Sequence, residues 1–158
     1  MVKNYLKFVI PIIPKPQKET QFARGFAYTP KEKKEYMKSI VRLCRNYKDS
    51  FEDGCYLEVY WKFYFPPLKS SILTTILKNK KPDTDNLVKV VKDALSSSII
   101  FGSKRKNTAV YGAGVIGNDS NVCIEHTYKY ILGKSDKRKP RIVVIIYRIR
   151  PDGSRFLE

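Results

Sequence analysis

The run Ile142-Val143-Val144-Ile145-Ile146-Tyr147 most constrains how this chain can fold. Six consecutive β-branched or aromatic residues without a polar alternate do not suit a half-solvated strand, so the segment reads as a central or well-covered one. Such a strand needs neighbours and a covering layer. Tyr56 to Phe65 alternates Leu57, Val59, Trp61, Phe63 and Phe65 against Glu58 and Lys62, as a half-buried strand does, and Pro66-Pro67 closes it. Leu6 to Ile13 is apolar and β-rich until Pro14-Lys15-Pro16-Gln17-Lys18 opens a basic loop reaching Arg24-Gly25. From Ser120 the alternation places Val122, Ile124, His126, Tyr128 and Tyr130 on an inward side and Asn121, Glu125, Thr127 and Lys129 on the other. His126 is then a core histidine, and Glu125, in mid-strand, is a poor site residue.

Two amphipathic segments supply the covering layer. Thr29-Pro30-Lys31-Glu32 offers a hydroxyl cap, a proline at the first helical position and a glutamate to complete a capping box. A helix is predicted from Pro30, ended by Asp53-Gly54, with Tyr36, Met37, Ile40, Val41, Cys44 and Tyr47 inward. A second is predicted from about Asp85 to Ser97, burying Leu87, Val90, Val91, Ala94 and Leu95. Between them and the third strand, Ile99 to Gly117 holds four glycines and Lys104-Arg105-Lys106 with no sustained period, which reads as a long surface loop or an inserted hairpin (99–117). The expected fold is α+β: a single domain over 1–158, element order β-α-β-α-β-β, with two helices packed on a mixed sheet.

Charge points to the partner. In 158 residues, 31 Lys and Arg oppose 15 Asp and Glu, a formal +16 that a fold has no reason to carry unless it meets a polyanion. The basic residues are spread along the chain rather than gathered on one amphipathic helix, which favours nucleic acid over a membrane surface. An RNA-binding module would need exposed aromatics for stacking, whereas most aromatics here alternate as core residues. Three cysteines without a CxxC pair argue against a disulfide framework or a zinc site and for a reducing cytosol. No segment has the character of a signal peptide or a membrane span, so a soluble intracellular protein is expected.

The chemistry centres on Lys81-Pro82-Asp83-Thr84-Asp85-Asn86-Leu87-Val88-Lys89. Hard divalent cations such as magnesium take oxygen ligands and retain waters, so two or three carboxylates converging beside a phosphate suffice. Asp83 and Asp85 supply two, and Asp119, at the mouth of the third strand, is the best-placed third. Two structural alternatives stand beside this: Asp85 as a helix cap with Asp83 in a turn, and Asp85, Lys89 and Asp93 as an i,i+4 ion-pair ladder. In the functional reading, Lys89 places positive charge where a phosphorane-like transition state builds negative charge.

The same residues resemble the RusA family of Holliday junction resolvases, whose Lys-Pro-Asp-x-Asp-Asn-Leu-x-Lys motif followed by Asp-Ala-Leu is matched by Lys81 to Lys89 and Asp93-Ala94-Leu95. Pro14-Lys15 with Arg24 to Pro30 is similar to that family's N-terminal signature. Asp119-Ser120-Asn121-Val122 with Lys129 resembles its Asp-Asp-x-Gln-Val segment and trailing lysine, with Asn118 and Asn121 replacing an aspartate and the glutamine. The resemblance implies magnesium, or manganese in its place, bound by Asp83, Asp85 and Asp119, with Lys89 assisting catalysis. It further implies DNA contacts from Lys15, Lys18, Arg24, Lys81 and Lys129, and a homodimer that nicks four-way DNA junctions symmetrically, a cytoplasmic, nucleoid-associated protein that is bacterial or phage-encoded. The alternative is a non-catalytic branched-DNA-binding protein, in which Asn118 marks lost chemistry.

Overall fold

A computed structural model describes residues 3–17, 21–23, 26–28, 30–69, 72–101 and 108–156. Its strands are β1 (Tyr5–Ile10), β2 (Gln21–Ala23), β3 (Phe26–Tyr28), β4 (Tyr56–Phe65), β5 (Ile76–Leu77), β6 (Ser98–Phe101), β7 (Thr108–Tyr111), β8 (Val122–Ile131) and β9 (Arg141–Ile149); its helices are α1 (Lys31–Cys44) and α2 (Thr84–Leu95). The fold is α+β, and the order is richer than β-α-β-α-β-β because the short strands β2, β3 and β5 were not legible as such and the hairpin offered for 99–117 adds β6 and β7. A five-stranded mixed sheet runs β1-β9-β4-β8-β5; only the β4–β8 pair is parallel.

The β-branched run lies in β9, between β1 and β4, as its composition requires. Cross-strand rows show how the core is filled. Leu6, Ile146 and Val59 stand in one row, Phe8, Val144 and Trp61 in the next, and Ile10, Ile142 and Phe63 in a third. All nine belong to one buried cluster with the stripes of the helices: Tyr36, Met37, Ile40, Val41 and Cys44 from α1, and Leu87, Val88, Val90, Val91, Ala94 and Leu95 from α2. Each Val, Leu, Ile, Phe or Met among them contributes about 1.5–3 kcal/mol of burial.

Several expectations need correction. Pro30 occupies the N-cap of α1 rather than its first turn, and Thr29 lies outside the described residues. The α-helix stops at Cys44, continues as a 3-10 turn over Arg45–Tyr47, and ends well before Asp53-Gly54. There Asp49 takes a left-handed φ of 58°, and its N–H donates to Gly114 O at 2.9 Å. The chain turns here to meet a segment that the sequence reading left outside the core.

That segment belongs to the presumed insert. Its first part is a hairpin, β6 paired with β7. Its second part is no surface loop: Ala113, Val115 and Ile116 are 0–2% exposed and join the core. Their amides close the open end of α2, where helix carbonyls lack internal partners. Ala113 N–H donates to Ala94 O (2.9 Å), Gly114 N–H to Ser96 O (3.1 Å) and Val115 N–H to Leu95 O (2.8 Å).

The largest correction concerns β8. Leu57 pairs with Val122 but Glu58 pairs with Ile124, so Cys123 is an extra residue and the register shifts there. A one-residue irregularity exchanges the two faces of everything beyond it. Val122 still packs on the core, but past Cys123 it is Glu125, Thr127 and Lys129 that share rows with Val59, Trp61 and Phe63 on the helix-covered face. His126, Tyr128 and Tyr130 lie on the opposite face beside Tyr60, Lys62 and Tyr64. His126 is therefore not a core histidine. Tyr60, Tyr64, Tyr128 and Tyr130 form a stacked series there, with Tyr64 and Tyr130 centroids 4.7 Å apart, so many of the aromatics lie outside the main core.

Glu58, expected on a polar face, is also buried. Arg155, returning from the C-terminal turn, donates to it from Nε at 2.7 Å, Tyr60 Oη donates at 3.0 Å, and His126 Nε2 lies 2.9 Å away. The Arg155 guanidinium holds the Glu58 carboxyl down at about 2, overcoming the effect of burial, with His126 and Tyr60 adding to it.

Candidate active site

The start of α2 decides what Asp83 and Asp85 can do. Asp83 is the N-cap residue, with extended backbone (φ −66°, ψ 146°), but its side chain makes no capping hydrogen bond. Asp85 follows in the first turn and is exposed. Among the described residues neither carboxylate has a hydrogen bond or ion pair, so the capping alternative does not account for them. Nor does the ladder: no ion pair within 4.0 Å joins Lys89 to Asp85 or Asp93 among the described residues. Both carboxylates also lie at a helix N-terminus, where negative charge is favoured.

Asp119 reaches the same place by another route. After the strap over α2, Ser97 N–H donates to Gly117 O at 2.7 Å, and Gly117 takes a left-handed φ of 69°. A Cβ there would also crowd the end of the exposed Asp53 side chain, which can move aside, so it is the left-handed backbone that calls for glycine. Asp119 then opens a 3-10 turn, Asp119–Asn121, whose cap is Asn118: its Oδ1 accepts from Ser120 N–H (3.0 Å) and Ser120 Oγ–H (3.1 Å). Asn121 is buried, accepting from Gly54 N–H (3.2 Å) and donating to Ile116 O (2.9 Å). The two asparagines that depart from the family pattern thus hold the turn presenting Asp119.

These elements enclose a cleft of about 280 Å³ between α2 and β8, lined by Asp85, Val88, Lys89, Lys92, Asp93, Asp119, Glu125 and Thr127. The structure therefore brings together Asp85, Lys89 and Asp119 as predicted; Asp83 is not among the walls. Glu125, dismissed for its mid-strand position, is one of the walls and pairs with Lys92 from α2. Alternation alone could not find it, because the register shift at Cys123 is invisible in the hydropathy. Burial pushes the Asp93 carboxyl above its usual range, against the pull of Lys89 and Lys33, and Asp119 adds to the rise. Burial likewise lowers Lys33, opposed by Asp93 and assisted by Lys89.

The proposed DNA contacts divide. Lys15 is exposed, its ammonium 5.8 Å from the Tyr36 ring centre, and Lys81 is exposed beside the motif. Lys18 and Arg24 lie outside the described residues. Lys129 is half-buried, and its ammonium donates to Lys80 O (2.9 Å) and Pro82 O (2.8 Å).

The family model of endodeoxyribonuclease RusA matches residues 10–103, more than half of the chain. The chain belongs to the RusA family. The match includes Asp83, Asp85 and Lys89, and ends before Asp119 and Glu125. No curated protein matches the chain. RusA proteins are endodeoxyribonucleases that resolve Holliday junctions, so membership carries nuclease activity and branched DNA as its substrate class. No helix among the described residues is long and apolar enough to cross a membrane.

The donors at the cleft are of the type a divalent cation takes. Asp85 and Asp119 are uncommitted oxygen donors facing one cleft, with Glu125 on the same wall, a chemistry that suits a hard cation keeping several waters. Among the described residues, no three His, Cys, Asp or Glu side chains are close enough together to form a complete cage. The donor type fits a cation held partly by water and by substrate phosphate.

Proposed function

We propose that this RusA-family chain is a magnesium-dependent endonuclease that resolves four-way DNA junctions by symmetric nicking as a homodimer. The observation that carries this reading is the cleft in which Asp85, Asp119 and Glu125 face Lys89. Asp85 and Asp119 would hold magnesium, or manganese in its place, with water and substrate phosphate completing its shell. Asp83 stands at the adjoining helix cap as a third carboxylate that closure on the substrate would have to bring in. When bound, the cation supplies a polarised phosphate oxygen and a more acidic water.

The chain's own residues do the rest. Lys89, one turn after Asp85, lines the cleft, where its positive charge would stabilise charge on the scissile phosphate. Lys15 and Lys81, with Lys18 and Arg24, supply positive charge for the junction arms, and binding should weaken steeply with salt. A two-fold dimer gives two equivalent sites for paired nicks.

The test is cleavage of matched linear, flap and four-way substrates with and without magnesium by wild type, Asp85→Asn and Asp119→Asn. Magnesium-dependent paired nicks in the four-way substrate are expected, lost in both variants while junction binding survives. Undiminished cleavage by either variant overturns the site assignment. Junction binding by wild type without nicks would establish the non-catalytic alternative.

A further inference from the structure

We infer that Lys129 is a positioning residue, which clamps the turn carrying Asp83 into α2, rather than a DNA contact. The inference rests on the reading of Asp83 and Asp85 as part of the cleavage site. Lys129 pairs with Phe63 in the sheet, so its side chain emerges on the helix-covered face, two positions beyond Thr127 and four beyond Glu125. From there its ammonium donates to Lys80 O at 2.9 Å and to Pro82 O at 2.8 Å, the carbonyls on either side of Lys81. The main chain of the same residue holds the start of this segment, since Lys78 N–H donates to Lys129 O at 2.9 Å. One residue of β8 thus anchors the path from Lys78 to Pro82, and the next residue is Asp83.

Charge-assisted hydrogen bonds to two carbonyls are stronger than neutral ones and fix direction as well as distance. An ammonium committed in this way is a poor candidate to follow a phosphate. Its effect is to set where the peptide leading into the N-cap points, and so where the Asp83 carboxylate stands relative to Asp85. The strand that walls the cleft through Glu125 thereby also fixes the loop above it.

The experiment uses the full chain with Lys129→Met and Lys129→Arg. Single-turnover junction cleavage at saturating protein and magnesium reports the site. Junction affinity across a salt series in EDTA reports DNA contact, and amide hydrogen exchange over residues 79–84 reports the turn. For Lys129→Met we expect cleavage at least tenfold slower, affinity within twofold, an unchanged salt slope and faster exchange over 79–84; Lys129→Arg, which retains the donors, recovers part of the rate. Wild-type cleavage and exchange in Lys129→Met overturn the clamp. Weakened binding with a salt slope smaller by about one makes Lys129 a phosphate contact instead. If Lys129→Met fails to fold, Lys129→Gln takes its place in the same measurements. If wild type makes no nicks, or Asp85→Asn cleaves like wild type, it is the functional reading that fails, and the exchange data still judge the clamp.

Discussion

β4 and β8 are parallel neighbours in one sheet, yet they use the helix-covered face in opposite ways. β4 sends Val59, Trp61 and Phe63 into the core, all at 0% exposure. β8 continues the same three rows with Glu125, Thr127 and Lys129. Apolar rows from β1, β9 and β4 therefore end in polar groups one strand later, and the boundary between core and cleft runs between two adjacent strands. The sheet face is continuous, but its solvent changes from protein to water where α2 and β8 part around the cleft. A site built this way borrows the rigidity of a core strand without needing a loop to carry every polar group.

The sharpest way to break this contrast is to insert one alanine between Ile124 and Glu125, past the irregularity. The inserted residue turns Glu125, Thr127 and Lys129 away from the cleft and drives His126, Tyr128 and Tyr130 toward the helices, whereas deleting Cys123 leaves Ile124 opposite Glu58 and both faces as they are. The insertion is expected to abolish the cooperative urea transition and the deletion to keep it; loss of that transition on deleting Cys123 would refute the register shift. Next in size is a comparison within one row. Trp61→Ala should cost about 3–5 kcal/mol by urea denaturation, whereas Thr127→Ala, beside it, should cost less than about 1 kcal/mol. Equal costs would erase the boundary.

The opposite face gives a pH test. Glu58 is held at about 2 against an ordinary 4.5, so its contribution is whole above about 4.5 and disappears as pH falls through the folded value. Allowing for the exposure of Arg155, wild type should lose roughly 2 kcal/mol more than Glu58→Gln between pH 5 and pH 2. Parallel stability curves for the two proteins would rule this out. The smallest effect in free energy belongs to Glu125→Gln: stability within about 1 kcal/mol of wild type, but junction cleavage slower by about tenfold, equivalent to about 1.4 kcal/mol. If the cleavage rate stays unchanged, Glu125 is a wall residue and no more.

Much of the scaffold was legible because its periodicities run uninterrupted. β4 was found at Tyr56–Phe65, and the buried stripes of α1 and α2 were found apart from Val88, which was missed, and Tyr47, which falls past the end of α1 and is only half-buried. That Asp85, Lys89 and Asp119 line one cleft could be anticipated because carboxylates are conspicuous in so basic a chain. Ala113 to Ile116 were not, since a strap that caps helix carbonyls needs neither a helical nor a strand period. Glu125 and Lys129 were hidden for a different reason. Alternation tells which residues share a face of a strand; it does not tell which face is covered, and a single extra residue reverses the answer.

The parallel pairing of β4 and β8 has one more consequence. Such a pair cannot close through a tight turn, and the crossover between its strands carries β5, α2 and the β6–β7 hairpin. Asp83 and Asp85 sit on that crossover, Asp119 and Glu125 at and beyond its end. Contacts so distant in sequence form slowly and late. The walls of the cleft are therefore complete only once β8 has docked beside β4, however much of the rest of the sheet has formed.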